Sequence, residues 1–218
     1  LLGFQEDNYH LSYGMIDLPS GKMKSREGTV VDGDEVIAEV EKLALNEVNK
    51  RYPDLYETEK LTRAEIIGLA AIKFFILKYS ATKGFIFRPD ESISFEGETG
   101  PYIQYCYARI ESIISKSKLK LTTNINWGLF THKNEFDLIK QMTYFPEIVD
   151  IAEETYNVHL IAQYLLTLCQ IFNSFYSSCQ VISDNKELES ARLLLIKCVQ
   201  IIIKIGLNIL GIKTLDKM

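Results

Sequence analysis

A chain of 218 residues, 47% hydrophobic and 24% charged, is long enough to bury one substantial core and too apolar to be a disordered tract. Its net charge of −5 argues against attachment to nucleic acid through bulk charge, and no apolar run is long enough to span a bilayer. Four cysteines without a Cys-x-x-Cys pair, and three histidines at no ligand spacing, exclude a disulfide frame and a zinc site. The cysteines read as small buried hydrophobes in a reducing compartment, and His159 reads as a surface or capping residue near a helix start.

The chain opens without an initiating methionine, a basic leader or a cleavage pattern, which points to a piece of something longer. Residues 10 to 18 have short strand character, Pro19-Ser20-Gly21 is a turn, and Thr29-Val30-Val31 is a second β-branched run. Between them Gly21-Lys22-Met23-Lys24-Ser25-Arg26-Glu27-Gly28 forms a glycine-bounded loop with three cations and a hydroxyl. Glycines permit close approach and cations offset phosphate charge, so such a loop can wrap a triphosphate. Ser12-Tyr13-Gly14-Met15, Gly21-Lys22-Met23 and Ser25-Arg26-x-Gly28-Thr29-Val30-Val31 resemble the second signature loop of class I aminoacyl-tRNA synthetases, in the form the arginyl enzymes use. The match departs from the KMSKS pattern: Lys24, Ser25 and Arg26 fill the third, fourth and fifth places. Lys22 and Met23 carry over, and either Lys24 or Arg26 meets the pyrophosphate.

A helix is predicted from 34 to about 51, capped by Asp34 or Asp32, with Val36, Ile37, Val40, Leu43, Ala44 and Val48 inward and Pro53 as its stop. Thr62, with Glu65 in capping-box spacing, predicts a second from about 63 to 82, apolar nearly all round and therefore central. Residues 60 to 90 carry six basic side chains against two acidic, so a positive stretch leads into the tyrosine-bearing helix beyond it. Residues 85 to 100 are expected as loop.

Thr99 or Gly100 caps the next helix, and Pro101 suits its first turn because its missing N–H has no intrahelical partner. Ile103, Cys106, Tyr107, Ile110, Ile113 and Ile114 make a core face. Tyr102, Tyr105, Arg109, Ser112 and Lys116 make a second stripe at the same spacing. Aromatic rings in line with cations are suited to stacking unpaired bases and holding their phosphates, although tyrosines so spaced also serve as half-buried core residues with wet hydroxyls. The run Gly97-x-Thr99-Gly100-Pro101-Tyr102-Ile103-Gln104-Tyr105-x-x-Ala108-Arg109-Ile110 resembles the segment that opens the anticodon-binding domain of arginyl-tRNA synthetases. By that resemblance Tyr102 and Tyr105 face tRNA.

Residues 115 to 126 are polar. Two shorter helices are predicted over 135 to 143 and 146 to 154. A long one is predicted over 158 to 181, with Ile161, Leu165, Leu168, Phe172, Phe175 and Cys179 on its core side. The last runs from about 187 to 210, with Gly206 inside and Gly211 as its cap. Leu188-x-x-Ala191-Arg192-Leu193-x-Leu195, Gly206-Leu207-x-x-Leu210-Gly211-Ile212 and Asp216-Lys217-Met218 are similar to the arginyl enzymes' closing helix and tail, which implies that Met218 sits beside Tyr102 and Tyr105.

The expected architecture is mainly α: a helical anticodon-binding domain (91–218), a helical connector (33–90) and a small β and loop remnant of a class I nucleotide-binding catalytic domain (1–32). The resemblance implies arginine activation by ATP, with magnesium accompanying it, and esterification to tRNA(Arg) in the cytoplasm by a monomer that contacts no membrane. Lys22, Met23, Lys24, Ser25 and Arg26 would serve ATP; Tyr102, Tyr105, Arg109 and Met218 would serve tRNA. No His-x-Gly-His signature occurs, so this chain alone is expected to be inactive. The alternative is an inert standalone helical module for tRNA or protein.

Overall fold

The computed structural model describes Gly3, residues 9–17, Pro19 and residues 32–218. The candidate ATP loop and the run at 29–31 lie outside the described residues. Near the start, β1 (Ile16–Asp17) lies parallel to β2 (Phe85–Ile86), with Ile16 opposite Phe85.

The helix α1 (Gly33–Arg51) begins at Asp32, whose carboxylate accepts from the Asp34 N–H at 3.2 Å. Asp34 and Glu35 in its first turn and Lys50 and Arg51 in its last complement the helix dipole. Val40, Ala44 and Val48 are buried, while Val36, Ile37 and Leu43 are half-buried. The next helix, α2 (Glu57–Leu77), starts and stops several residues earlier than its sequence suggests. Thr62 is not its cap; its hydroxyl donates to the Thr58 carbonyl at 2.9 Å inside the helix. The first turns are supported by Glu57 with Lys60 at 2.8 Å and Glu59 with Arg63 at 2.6 Å, pairs at the spacing where helix side chains meet. The expected loop at 85 to 100 contains β2 and a short helix, α3 (Pro89–Ser92), started by its proline.

The remaining helices are α4 (Gly100–Lys116), α5 (Lys133–Thr143), α6 (Phe145–Thr155), α7 (His159–Ser178) and α8 (Lys186–Ile209), with a 3-10 turn at Trp127–Leu129. A histidine cap sets where α5 begins. His132 Nδ1 accepts from the Asn134 N–H at 3.2 Å, and the Glu135 carboxylate accepts from the His132 N–H at 2.9 Å. Past α8, Gly211 takes φ +66°, a conformation few side chains tolerate, and the Ile212 N–H reaches the Leu207 carbonyl at 2.8 Å.

Two apolar cores result, and α2 is shared between them. Its Ala70 and Phe74 join a large core with Ile103, Cys106 and Ile110 of α4, Leu165, Phe172 and Phe175 of α7, and Ile196, Val199 and Ile203 of α8. Its Ala64, Ile67, Ala71 and Phe75 face a smaller one with Val40, Ala44 and Val48 of α1, and Phe87, Ile93 and Phe95. Burying a large apolar side chain of this kind contributes roughly 1.5–3 kcal/mol. The start of α4 presses directly on α2: a Cβ at Gly100 would lie 2.4 Å from the Ala70 carbonyl oxygen. Cys106, Cys169 and Cys179 are buried, Cys198 is half-buried, and all four are free thiols. No helix of the described residues is long and apolar enough to cross a membrane.

Candidate nucleic-acid interface

Where the two cores meet, α4 carries its second stripe. Thr99 caps the helix: its hydroxyl oxygen accepts from the Tyr102 N–H at 3.2 Å while its O–H donates to the Ser94 carbonyl, tying the preceding loop to the first turn. The two tyrosines lie three residues apart yet diverge. Tyr102 packs against the large core and Tyr105 against the smaller one.

The Tyr102 hydroxyl accepts a hydrogen bond from Asn173 Nδ2 at 2.8 Å, and Asn173 Oδ1 in turn accepts from Arg109 Nη1 at 3.0 Å. Burial, foremost, pushes the Tyr102 hydroxyl well above its ordinary pKa and keeps it neutral. The Arg109 guanidinium therefore has a fixed position, its carbon 4.6 Å from the Tyr105 ring centroid and 5.4 Å from that of Tyr176. Phe95 meets Tyr105 edge to face at 6.4 Å, and Arg51 lies 4.1 Å over Phe95. Rings and cations thus form one continuous series from α1 across α4 to α7.

Beside this series opens a cavity of about 930 Å³, walled in part by Tyr52, Tyr105, Arg109, Lys116, Tyr176 and Met218. Of the residues singled out from sequence for tRNA, Tyr105, Arg109 and Met218 line it together. Tyr102 does not; it holds Asn173 behind Arg109. Tail residues Asp216 and Lys217 complete the rim. The tail lies against α4, where Gln104 Nε2 donates to the Lys213 carbonyl at 2.7 Å; burial first, and then the Asp216 carboxylate, pushes up the Tyr107 hydroxyl there. Lys22, Met23, Lys24, Ser25 and Arg26 lie outside the described residues. Among the described residues there is no cluster of three or more histidine, cysteine or carboxylate side chains fit to hold a metal ion.

Sequence reading passed over Tyr52, Asn173 and Tyr176. Tyr176 had a faint signal, an aromatic four residues past Phe172 and off the core stripe of α7. Asn173 and Tyr52 had none, because each is defined by what it meets across the fold.

The model of the DALR anticodon binding domain matches residues 103–218. This chain belongs to that family. Its DALR domain therefore comprises α4 to α8 and the tail, all but the first residues of α4. The chain is 42% identical over 213 residues to the arginine–tRNA ligase of Flavobacterium psychrophilum, covering 96% of this chain and 35% of the relative. It is 40% identical over 222 residues to that of Borrelia duttonii, covering 100% and 38%. The solved arginyl-tRNA synthetase of Thermus thermophilus superposes with a TM-score of 0.88 at 32% identity, over 96% of this chain and 35% of that one. The Plasmodium falciparum enzyme does so with 0.78 at 27% identity, over 94% and 34%. The mainly α architecture and the arginyl-synthetase resemblance read from the DALR segment are borne out. The chain spans 35–38% of the length of the curated relatives it matches.

Proposed function

We propose that this chain is the anticodon-binding portion of an arginyl-tRNA synthetase, and that the cavity between the two cores receives unpaired anticodon bases of tRNA(Arg). The observation that carries the reading is the meeting of Tyr105, Arg109, Tyr176 and Met218 around one open space in a DALR domain. Ring faces accept any base by stacking, the guanidinium and Lys116 suit the phosphates between bases, and the thioether of Met218 adapts to an irregular apolar edge. Tyr102 is assigned to positioning: through Asn173 it sets the guanidinium between two rings. An acidic protein then needs no bulk charge, because the cations that matter are local.

Residues 1–32 are assigned to the end of a catalytic domain, 33–90 to a connector and 91–218 to the anticodon-binding unit. Lys22, Lys24 and Arg26, with Met23 and Ser25, are assigned to the phosphates of ATP, which would bring its own magnesium and supply the anhydride that activates arginine. The full-length protein would carry that activity, as a monomer in the cytoplasm.

The test is a titration with a tRNA(Arg) anticodon stem-loop and with the same stem carrying a scrambled loop. The parent should prefer the arginine anticodon, and Tyr105→Ala should weaken binding by about 1–3 kcal/mol for each base it stacks. Equal affinity for both loops, or no loss with Tyr105→Ala, would remove the cavity from tRNA recognition.

A further inference from the structure

Gln104 lies between two residues of the aromatic stripe, is fully buried, and has no part in base stacking. Its Nε2 donates to the backbone carbonyl of Lys213 at 2.7 Å, across 109 residues of sequence. Its Oε1 has no partner among the described residues. A buried amide with half of its capacity unused is a poor way to fill a core, and an apolar side chain of similar size would fit α4 with less desolvation. The bond to Lys213 is what this side chain provides.

The tail needs such a bond. Helix α8 ends before Gly211, and Ile212 is the last residue sealed in the large core. Residues 213–218 make no backbone–backbone hydrogen bond with any described residue. Leu215 and Met218 pack only partly against the smaller core, and Met218 reaches the cavity. Lys73 of α2 donates to the Gly211 carbonyl at 2.6 Å, upstream of the free stretch. Among the described residues Gln104 supplies the hydrogen bond made to the backbone of 213–218.

We infer that Gln104 is a positioning residue, a latch that sets the register of the tail so that Met218 closes one side of the cavity. Apolar contact and the side-chain approach of Asp216 to Tyr107 let a six-residue segment slide, whereas one short hydrogen bond from a buried amide to its backbone does not. The inference rests on the anticodon reading for its purpose but not for its geometry.

Two readouts test it in the full chain. The Met218 methyl resonance, assigned with Met218→Leu, reports the tail directly. In Gln104→Leu it should collapse to a narrow, solvent-like line while cooperative unfolding is retained. Binding of the arginine-anticodon stem-loop should weaken about tenfold, the effect of losing one well-placed contact. In a background with both Leu215→Ser and Met218→Ser the same substitution should cost no further affinity, because the tail through which it acts is already loose. Should Gln104→Leu fail to fold, Gln104→Asn shortens the amide beyond reach of Lys213 and should give the same two changes. An unmoved Met218 methyl overturns the latch, and so does an undiminished tenfold loss in the doubly substituted background. If the parent chain ignores the stem-loop, the anticodon reading falls, and the Met218 methyl still decides the latch.

Discussion

The large core and the smaller core use the same residue types differently. Around α7 and α8 the large core is sealed: Phe172, Phe175, Leu165, Ile196 and Ile203 are wholly buried, and Glu135 and Glu189 at its edge are both paired. Around α1 and α3 the smaller core is thinner and cations lie over its rings: Arg51 on buried Phe95, Lys78 on buried Phe75 and Arg63 on half-buried Tyr52. Cations over ring faces cover apolar surface with charge, which a sealed aliphatic core does not use. The candidate interface sits at the seam, where half-buried Tyr105 of α4 and exposed Tyr176 of α7 stand beside the sealed core.

The comparison breaks most severely at Glu135. This fully buried carboxylate pairs with Arg192 Nε at 2.8 Å and accepts from the Thr131 and His132 N–H groups at 2.9 Å each. Glu135→Ala leaves a guanidinium with no counter-ion at the edge of the sealed core, and urea unfolding should show a loss of about 3–5 kcal/mol. A change below about 1 kcal/mol would mean that the large core tolerates unpaired charge as a surface does. Next in size is the seam itself. Gly100→Ala drives a methyl into the Ala70 carbonyl, so guanidinium unfolding should report about 1–3 kcal/mol lost, with the two cores still unfolding together.

A smaller effect separates the two tyrosines. Tyr102→Phe removes the acceptor of the Asn173 bond and should lower stability by about 0.5–1.5 kcal/mol, read as a drop in melting temperature. RNA affinity should fall less than in Tyr105→Ala; the reverse order would put Tyr102 in contact with nucleotides.

The smallest expected change concerns pH. Hydrogen bonds from Lys186, foremost, and from Ser117 hold the Glu189 carboxyl below its ordinary value of 4.5. A depressed folded-state pKa gives stability that is present above 4.5 and lost as pH falls through the folded value, so the advantage of the parent over Glu189→Gln should shrink below pH 4.5. Lys186 is largely exposed, which limits the size of the effect. A gap between the two proteins that widens on acidification would contradict this assignment.

Much of this molecule can be read without coordinates. The inward stripes of α1, α4 and α7 are written as apolar residues three and four apart, and the Thr99 cap, Pro101 and Gly211 mark ends that local sterics enforce. The arginyl-synthetase wording of residues 97 to 110 is equally local. The bounds of α2 were not legible, because side-chain ion pairs prolong its start and the turn into β2 cuts its end. Nor was the cavity. That Tyr102 and Tyr105 part company, that Asn173 and Tyr176 come from α7 to flank Arg109, and that Gln104 catches Lys213 all depend on how helices lie against one another. Periodicity records which way a residue faces along its own axis. Which neighbour waits there is set by contacts between residues as much as 138 positions apart, and such contacts leave no repeating mark in the chain.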